Sequence, residues 1–124
     1  MKLRIRGNSI RFRLTITEVE KFATDGVIEE SVTFGQGLGA FRYEMIVGSD
    51  EAACAKFEIN CLSVTIPSSD ARDWTGSDKV GLEYLQPISD LDSLRIVIEK
   101  DFACLAERQD EDDSDAFPNP NQTC

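Results

Sequence analysis

Polar and apolar side chains alternate with a period of two from Lys2 to Thr15, and the apolar parity flips across Gly7-Asn8-Ser9. Leu3 and Ile5 lie before the flip; Ile10, Phe12 and Leu14 follow it. A strand puts successive side chains on opposite faces, so this pattern specifies a half-buried strand. A straight strand keeps its parity, and the flip therefore requires a tight hairpin turn or a bulge. Either device leaves Lys2, Arg4, Arg6, Arg11 and Arg13 on one side of the pleat.

Alternation returns in residues 27–34, 41–47, 55–66, 80–85 and 94–99. The parity changes again near Asn60-Cys61, which reads as a bulge. Gly35, Gly37 and Gly39 mark a hairpin with a mobile tip rather than a phosphate-cradling loop, since no Gly-Lys-Ser/Thr ending follows. Ile16, Val19, Phe22 and Ala23 have helical spacing, with Thr15 or Thr17 as the cap and Gly26 as the stop. Ser68 or Ser69 caps a second short helix over residues 70–74, closed by Thr75-Gly76.

About six or seven strands joined by short turns argue for antiparallel pairing, because parallel pairs need long crossovers. The expected class is α+β and strand-dominated: an antiparallel, strongly bent sheet or partly closed barrel with two short helices. No internal repeat is evident. The 124-residue chain divides into a single α+β domain over 1–106 and an acidic, Pro- and Asn-containing C-terminal tail over 107–124.

Histidine is absent, which removes imidazole as base, ligand or phosphoryl carrier. The net charge of -10 repels nucleic acid and anionic lipid at long range unless the positive charges are concentrated. No apolar run is long enough to span a bilayer and no signal-peptide core opens the chain, so a cytoplasmic protein without a membrane partner is expected. Cys54, Cys61, Cys104 and Cys124 have no metal or redox spacing and read as free thiols. Cys54 and Cys61 lie among apolar residues and are expected to be buried. Cys104 and Cys124 would meet only if the tail folds back, and Cys104 lacks an imidazole partner as a nucleophile.

The sharpest candidate is the basic ribbon, with Arg4, Arg6, Arg11 and Arg13 as anion-binding residues, because guanidinium groups present forked donors to phosphate or carboxylate. Against it stand Glu29, Glu44, Glu58, Glu83 and Glu99, which offer pairing partners across the sheet. Residues 110–115 suggest calcium, but an EF-hand loop starting at Asp110 would need glycine at Asp115 and glutamate at Asn121. Asp70, Asp73, Asp78 and Glu83 around Trp74 are read as caps and solvated groups rather than an acid-base pair.

The opening residues 1–15 with Glu18-Val19, the closing residues 99–105 and Phe117-Pro118-Asn119-Pro120 resemble a family of small bacterial proteins with no assigned activity. That resemblance spans nearly the whole chain and implies a bacterial cytoplasmic protein, with no catalytic residue carried over. A more distant likeness is to triphosphate-tunnel enzymes, which line an antiparallel barrel with acidic and basic side chains. Their Glu-x-Glu-x-Lys motif is here Lys2-Leu3-Arg4-Ile5-Arg6, which supplies no metal-binding carboxylates.

The leading expectation is a non-enzymatic binding or interaction domain with an arginine-rich sheet face, no cofactor and no bound metal. Its partner would be an acidic protein surface, the chain's own acidic tail or a small anionic ligand. The rival is an enzyme or carrier for a phosphorylated small molecule, with the same arginines as clamps and Glu44, Glu58 or Glu99 holding a divalent metal. Nucleic acid ranks last, and an exposed edge strand would let a second copy pair.

Overall fold

The computed structural model describes residues 1–102 and 115–118. In chain order these form β1 (Lys2–Ile5), β2 (Ser9–Leu14), α1 (Ile16–Asp25), β3 (Val27–Thr33), β4 (Ala40–Val47), β5 (Cys54–Glu58), β6 (Cys61–Ile66), α2 (Ser68–Thr75), β7 (Gly81–Pro87) and β8 (Ser93–Lys100). The strands make two four-stranded sheets, ordered β1-β2-β8-β7 and β3-β4-β6-β5.

Three expectations are corrected by this layout. There are eight strands rather than six or seven, they form two sheets rather than one bent sheet, and neither sheet closes into a barrel. The sheets are also mixed: hairpin partners run antiparallel, but β2 pairs with β8 and β4 with β6 in parallel. Short turns dictate only the pairing within each hairpin. β2 and β8 belong to hairpins far apart in the chain, so no short connection constrains their direction, whereas β4 and β6 run parallel because β5 returns between them. Residues 55–66 do not bulge; Ile59 and Asn60, at φ 49° and 58°, form a turn between two separate strands.

The element order repeats a ββαββ unit, β1 to β4 around α1 and β5 to β8 around α2, although no repeat is legible in the sequence. Each sheet takes one hairpin from each half of the chain: the first sheet joins the outermost two, and the second the two in the middle. A constant spacing relates buried residues of the halves: Ile10 to Leu62, Phe12 to Val64, Leu14 to Ile66, Val19 to Ala71 and Phe22 to Trp74. All belong to one core between the sheets. The Phe22 and Trp74 rings meet edge to face at 6.4 Å, which locks α1 against α2.

Side chains, not backbone ladders, tie the sheet edges together. The Gln86 amide donates to the Ala55 carbonyl at 2.8 Å and accepts from the Ala55 N–H at 2.6 Å. At the other edge the Tyr43 hydroxyl donates to the Met1 carbonyl at 2.9 Å, and the Met1 ammonium contacts Glu18 and Glu30.

Helix α1 opens with a capping box, Thr15 with Glu18, and ends where Gly26 takes φ 74°. Burial pushes the Glu18 carboxyl up, but hydrogen bonds from the Met1 ammonium and Thr15 outweigh it and hold it below its usual value. Helix α2 starts at Ser68, so neither serine is its N-cap. Pro67 takes that place without a side-chain bond, and Asp50 accepts from the Ser69 N–H and the Ser68 hydroxyl at 2.9 and 2.8 Å.

Within the segment expected as a tail, Asp115 accepts from Thr17 N–H at 3.3 Å at the start of α1. Phe117 packs on Phe102 with centroids 5.8 Å apart. Cys104, Cys124 and the calcium reading of residues 110–114 lie outside the described residues.

Candidate functional site

The register of β1 and β2 sets Lys2 opposite Arg13 and Arg4 opposite Arg11. Strand β8 then brings Arg95 beside Ser9, Val97 beside Arg11 and Glu99 beside Arg13. Ile10, Phe12 and Leu14 are buried while Arg11 and Arg13 are half-buried, so this row of cations forms the outward face of the first sheet.

Carboxylates divide that row. Glu99 Oε1 lies 2.6 Å from Arg13 Nε and 3.6 Å from Arg11 Nη1. Lys2 Nζ sits 3.0 Å from Asp101, and Arg95 donates from Nε to Glu83 at 2.6 Å. The Arg95 hydrogen bond and charge hold Glu83 below its usual value, and Glu83 in turn raises Arg95. Among the described residues, no carboxylate lies within 4.0 Å of Arg4 or Arg6.

Arg4, Arg6, Arg11 and Arg95 line one open groove of about 580 Å³ with Gly7 and Ser9. The turn that shapes it is a tight hairpin, with Gly7 at φ 55° and the Arg6 N–H donating to Ser9 at 3.0 Å. Arg13 is not part of the lining; it lies toward the other end of β2, paired with Glu99. Arg95 was missed from the sequence. Its polar parity between Leu94 and Ile96 was visible, but the parallel pairing that places it beside β2 was not.

The opposing carboxylates split between the sheets. Glu83 and Glu99 share the arginine face, whereas Glu29, Glu44 and Glu58 belong to the second sheet. Glu44 accepts from the buried Ser63 hydroxyl at 2.6 Å, and Glu58 lies 3.8 Å from Lys56. Among the described residues, no group of three or more Cys, Asp or Glu side chains is placed to hold a metal ion. Of the four acids near Trp74, three have other partners, with Glu83 held by Arg95. Asp70 accepts from the Tyr84 hydroxyl at 2.7 Å, burial first and then this bond raise that phenol, and Asp73 lies 3.3 Å from Lys79.

A second groove of about 580 Å³ crosses the outer face of the second sheet, with Arg42, Glu44, Lys56, Glu58 and Ser63 in its lining. Cys61 is buried in its floor, as expected, but Cys54 is exposed. Ala55 takes the inward position on β5, so its neighbour Cys54 faces out, opposite Thr65.

The geometry therefore defines a small two-sheet, two-helix protein with a cationic groove on one face. A family model covers residues 1–121, and the chain belongs to that family, DUF7009, a family of unknown function. No curated protein and no solved structure matches it.

Proposed function

We propose that this protein is a non-enzymatic binding module whose first-sheet groove takes an oxyanion group, phosphate or carboxylate, from an external ligand. One observation carries the reading: Arg4 and Arg6 have no carboxylate partner among the described residues yet converge with Arg11 and Arg95 on one concavity. Gathered cations repel one another, and forked guanidinium donors match phosphate and carboxylate oxygens. A reducing, cytoplasmic setting belongs to the proposal, supported by the free thiols of Cys54 and Cys61.

Titration calorimetry with pyrophosphate at low salt tests it. Binding is expected, weakening as salt rises, and lost in the Arg4→Ala/Arg6→Ala variant. Absence of binding for pyrophosphate, phosphate and a poly-glutamate peptide alike would overturn it. Release of phosphate from pyrophosphate in the presence of magnesium would replace the binding module with a phosphate-handling enzyme.

A further inference from the structure

We propose that the hairpin end of the molecule docks on an anionic lipid surface, the arginine groove taking headgroup phosphate; the headgroup part rests on the groove reading above. Ser9 lies beside Arg95 at the starts of β2 and β8, and Arg42 beside Cys61 near the starts of β4 and β6. All four hairpin turns therefore lie at the strand ends opposite those joined by the helices. Three of the four turns carry an apolar side chain thrust into solvent: Leu38 is 72% exposed, Ile59 96% and Leu91 94%. The fourth turn, Gly7-Asn8, follows Arg6 and forms the rim of the arginine groove.

Ile59 is the decisive residue. A β-branched side chain at φ 49° is sterically disfavoured, and the matching position in the first half, φ 55°, is Gly7. At 96% exposure Ile59 gains almost nothing from packing to offset that strain. Strain kept without a folding benefit points to a contact made outside the chain.

Single apolar residues on separate turns do not make the continuous, complementary patch that a rigid protein partner needs. A fluid interface accepts them one by one, and the neighbouring arginines match its phosphates. The net charge of -10 argues against such a surface only while the charges are averaged. In the fold, Glu18, Asp50, Asp70 and Asp73 lie on or beside the helices, away from the groove. Glu58, Asp90 and Asp92 flank the turns and oppose the attraction, so binding is weak and salt-sensitive.

Co-sedimentation of the full chain with phosphatidylglycerol/phosphatidylcholine vesicles tests this, with pure phosphatidylcholine as the control. Binding is expected only with the anionic lipid. Ile59→Asp/Leu91→Asp should lower vesicle partitioning at least about tenfold while pyrophosphate affinity stays within about twofold. Ile59→Asn, which suits the turn, should fold at least as well yet partition less. Pyrophosphate binding without vesicle binding overturns the lipid inference and leaves the groove reading intact. Loss of pyrophosphate binding with vesicle binding that still depends on Ile59 and Leu91 overturns the groove reading instead. A poly-glutamate peptide bound through those same two residues, with vesicles ignored, would make this end a protein interface and sink the lipid surface.

Discussion

The outer faces of the two sheets occupy matching positions in the two halves of the chain, yet they differ in electrostatics. By register, Arg4 corresponds to Lys56, Arg6 to Glu58, Arg11 to Ser63, Arg95 to Arg42 and Val97 to Glu44. The first groove keeps four guanidinium groups, while the second balances Arg42 and Lys56 with Glu44 and Glu58. Inside, the matching positions stay apolar, from Phe12 with Val64 to Phe22 with Trp74. The architecture thus demands buried volume at its core positions but no particular charge outside, where an exposed pair contributes only about 0–1 kcal/mol. The second sheet folds without an arginine cluster, so the cluster on the first is not a by-product of folding.

The largest expected effect tests the core half of this comparison. Phe22→Ala and Trp74→Ala should each cost about 3–5 kcal/mol in chemical denaturation, because both side chains are fully buried. Their rings touch at 6.4 Å, so the double variant should deviate from additivity. A loss below about 1 kcal/mol at either site would break the equivalence of the halves.

Next comes the difference between the faces. Charge-assisted hydrogen bonds are worth about 1.5–3 kcal/mol each, so Arg4→Ala/Arg6→Ala, which removes at least two, should weaken pyrophosphate binding at least about 100-fold. Lys56→Ala, the counterpart of Arg4→Ala, should leave it within about twofold. The converse graft sharpens the point: Glu44→Val with Glu58→Arg should give the second groove a measurable anion affinity. Equal losses from Lys56→Ala and Arg4→Ala would mean that the charge difference has no bearing on binding.

Much of this contrast was legible along the chain, and most of the missing part was long-range. Alternation marked the strands and put Arg4, Arg6 and Arg11 on one face, because a period of two is a local property. Thr15 or Thr17 as cap and Gly26 as stop bounded α1 for the same reason, and the structure selects Thr15. The parallel β2-β8 pairing leaves no local trace, and with it went Arg95 and the two-sheet layout, although Glu99 was among the acids expected to pair with the ribbon and does so at Arg13 and Arg11. The Ile59-Asn60 turn was missed because Ile is not the residue that a positive φ calls for, although the parity change was visible.

A smaller effect compares the two turns directly. Relieving the left-handed strain with Ile59→Gly should stabilise the fold by about 1 kcal/mol, and Gly7→Ala should cost a similar amount, since φ is positive at both. Both follow from thermal or denaturant midpoints. If Ile59→Gly is destabilising, Ile59 contributes to folding and the reason for assigning it an external contact disappears.

The smallest effect concerns Lys100, whose counterpart in the first half is Val47. The Lys100 ammonium donates to the Ser77 carbonyl at 2.7 Å and lies over the Trp74 and Phe117 rings, 5.9 and 5.4 Å from their centroids. Burial lowers its pKa from 10.5, although the Asp78 charge works against the shift. Between the lowered value and 10.5 the unfolded chain holds more protons than the folded one, so this group makes stability rise with pH across that window. Tyr43 and Tyr84, both raised above 10.0 first by burial, act in the opposite sense at higher pH. Lys100→Val keeps those tyrosines, so the difference between wild type and variant isolates the lysine. The wild type should gain on the variant from neutral pH toward 10.5, by denaturant midpoints at each pH. A difference that is flat or falls with pH would mean that the ammonium is stabilised where it lies, and that the first half's valine is no better suited to that position.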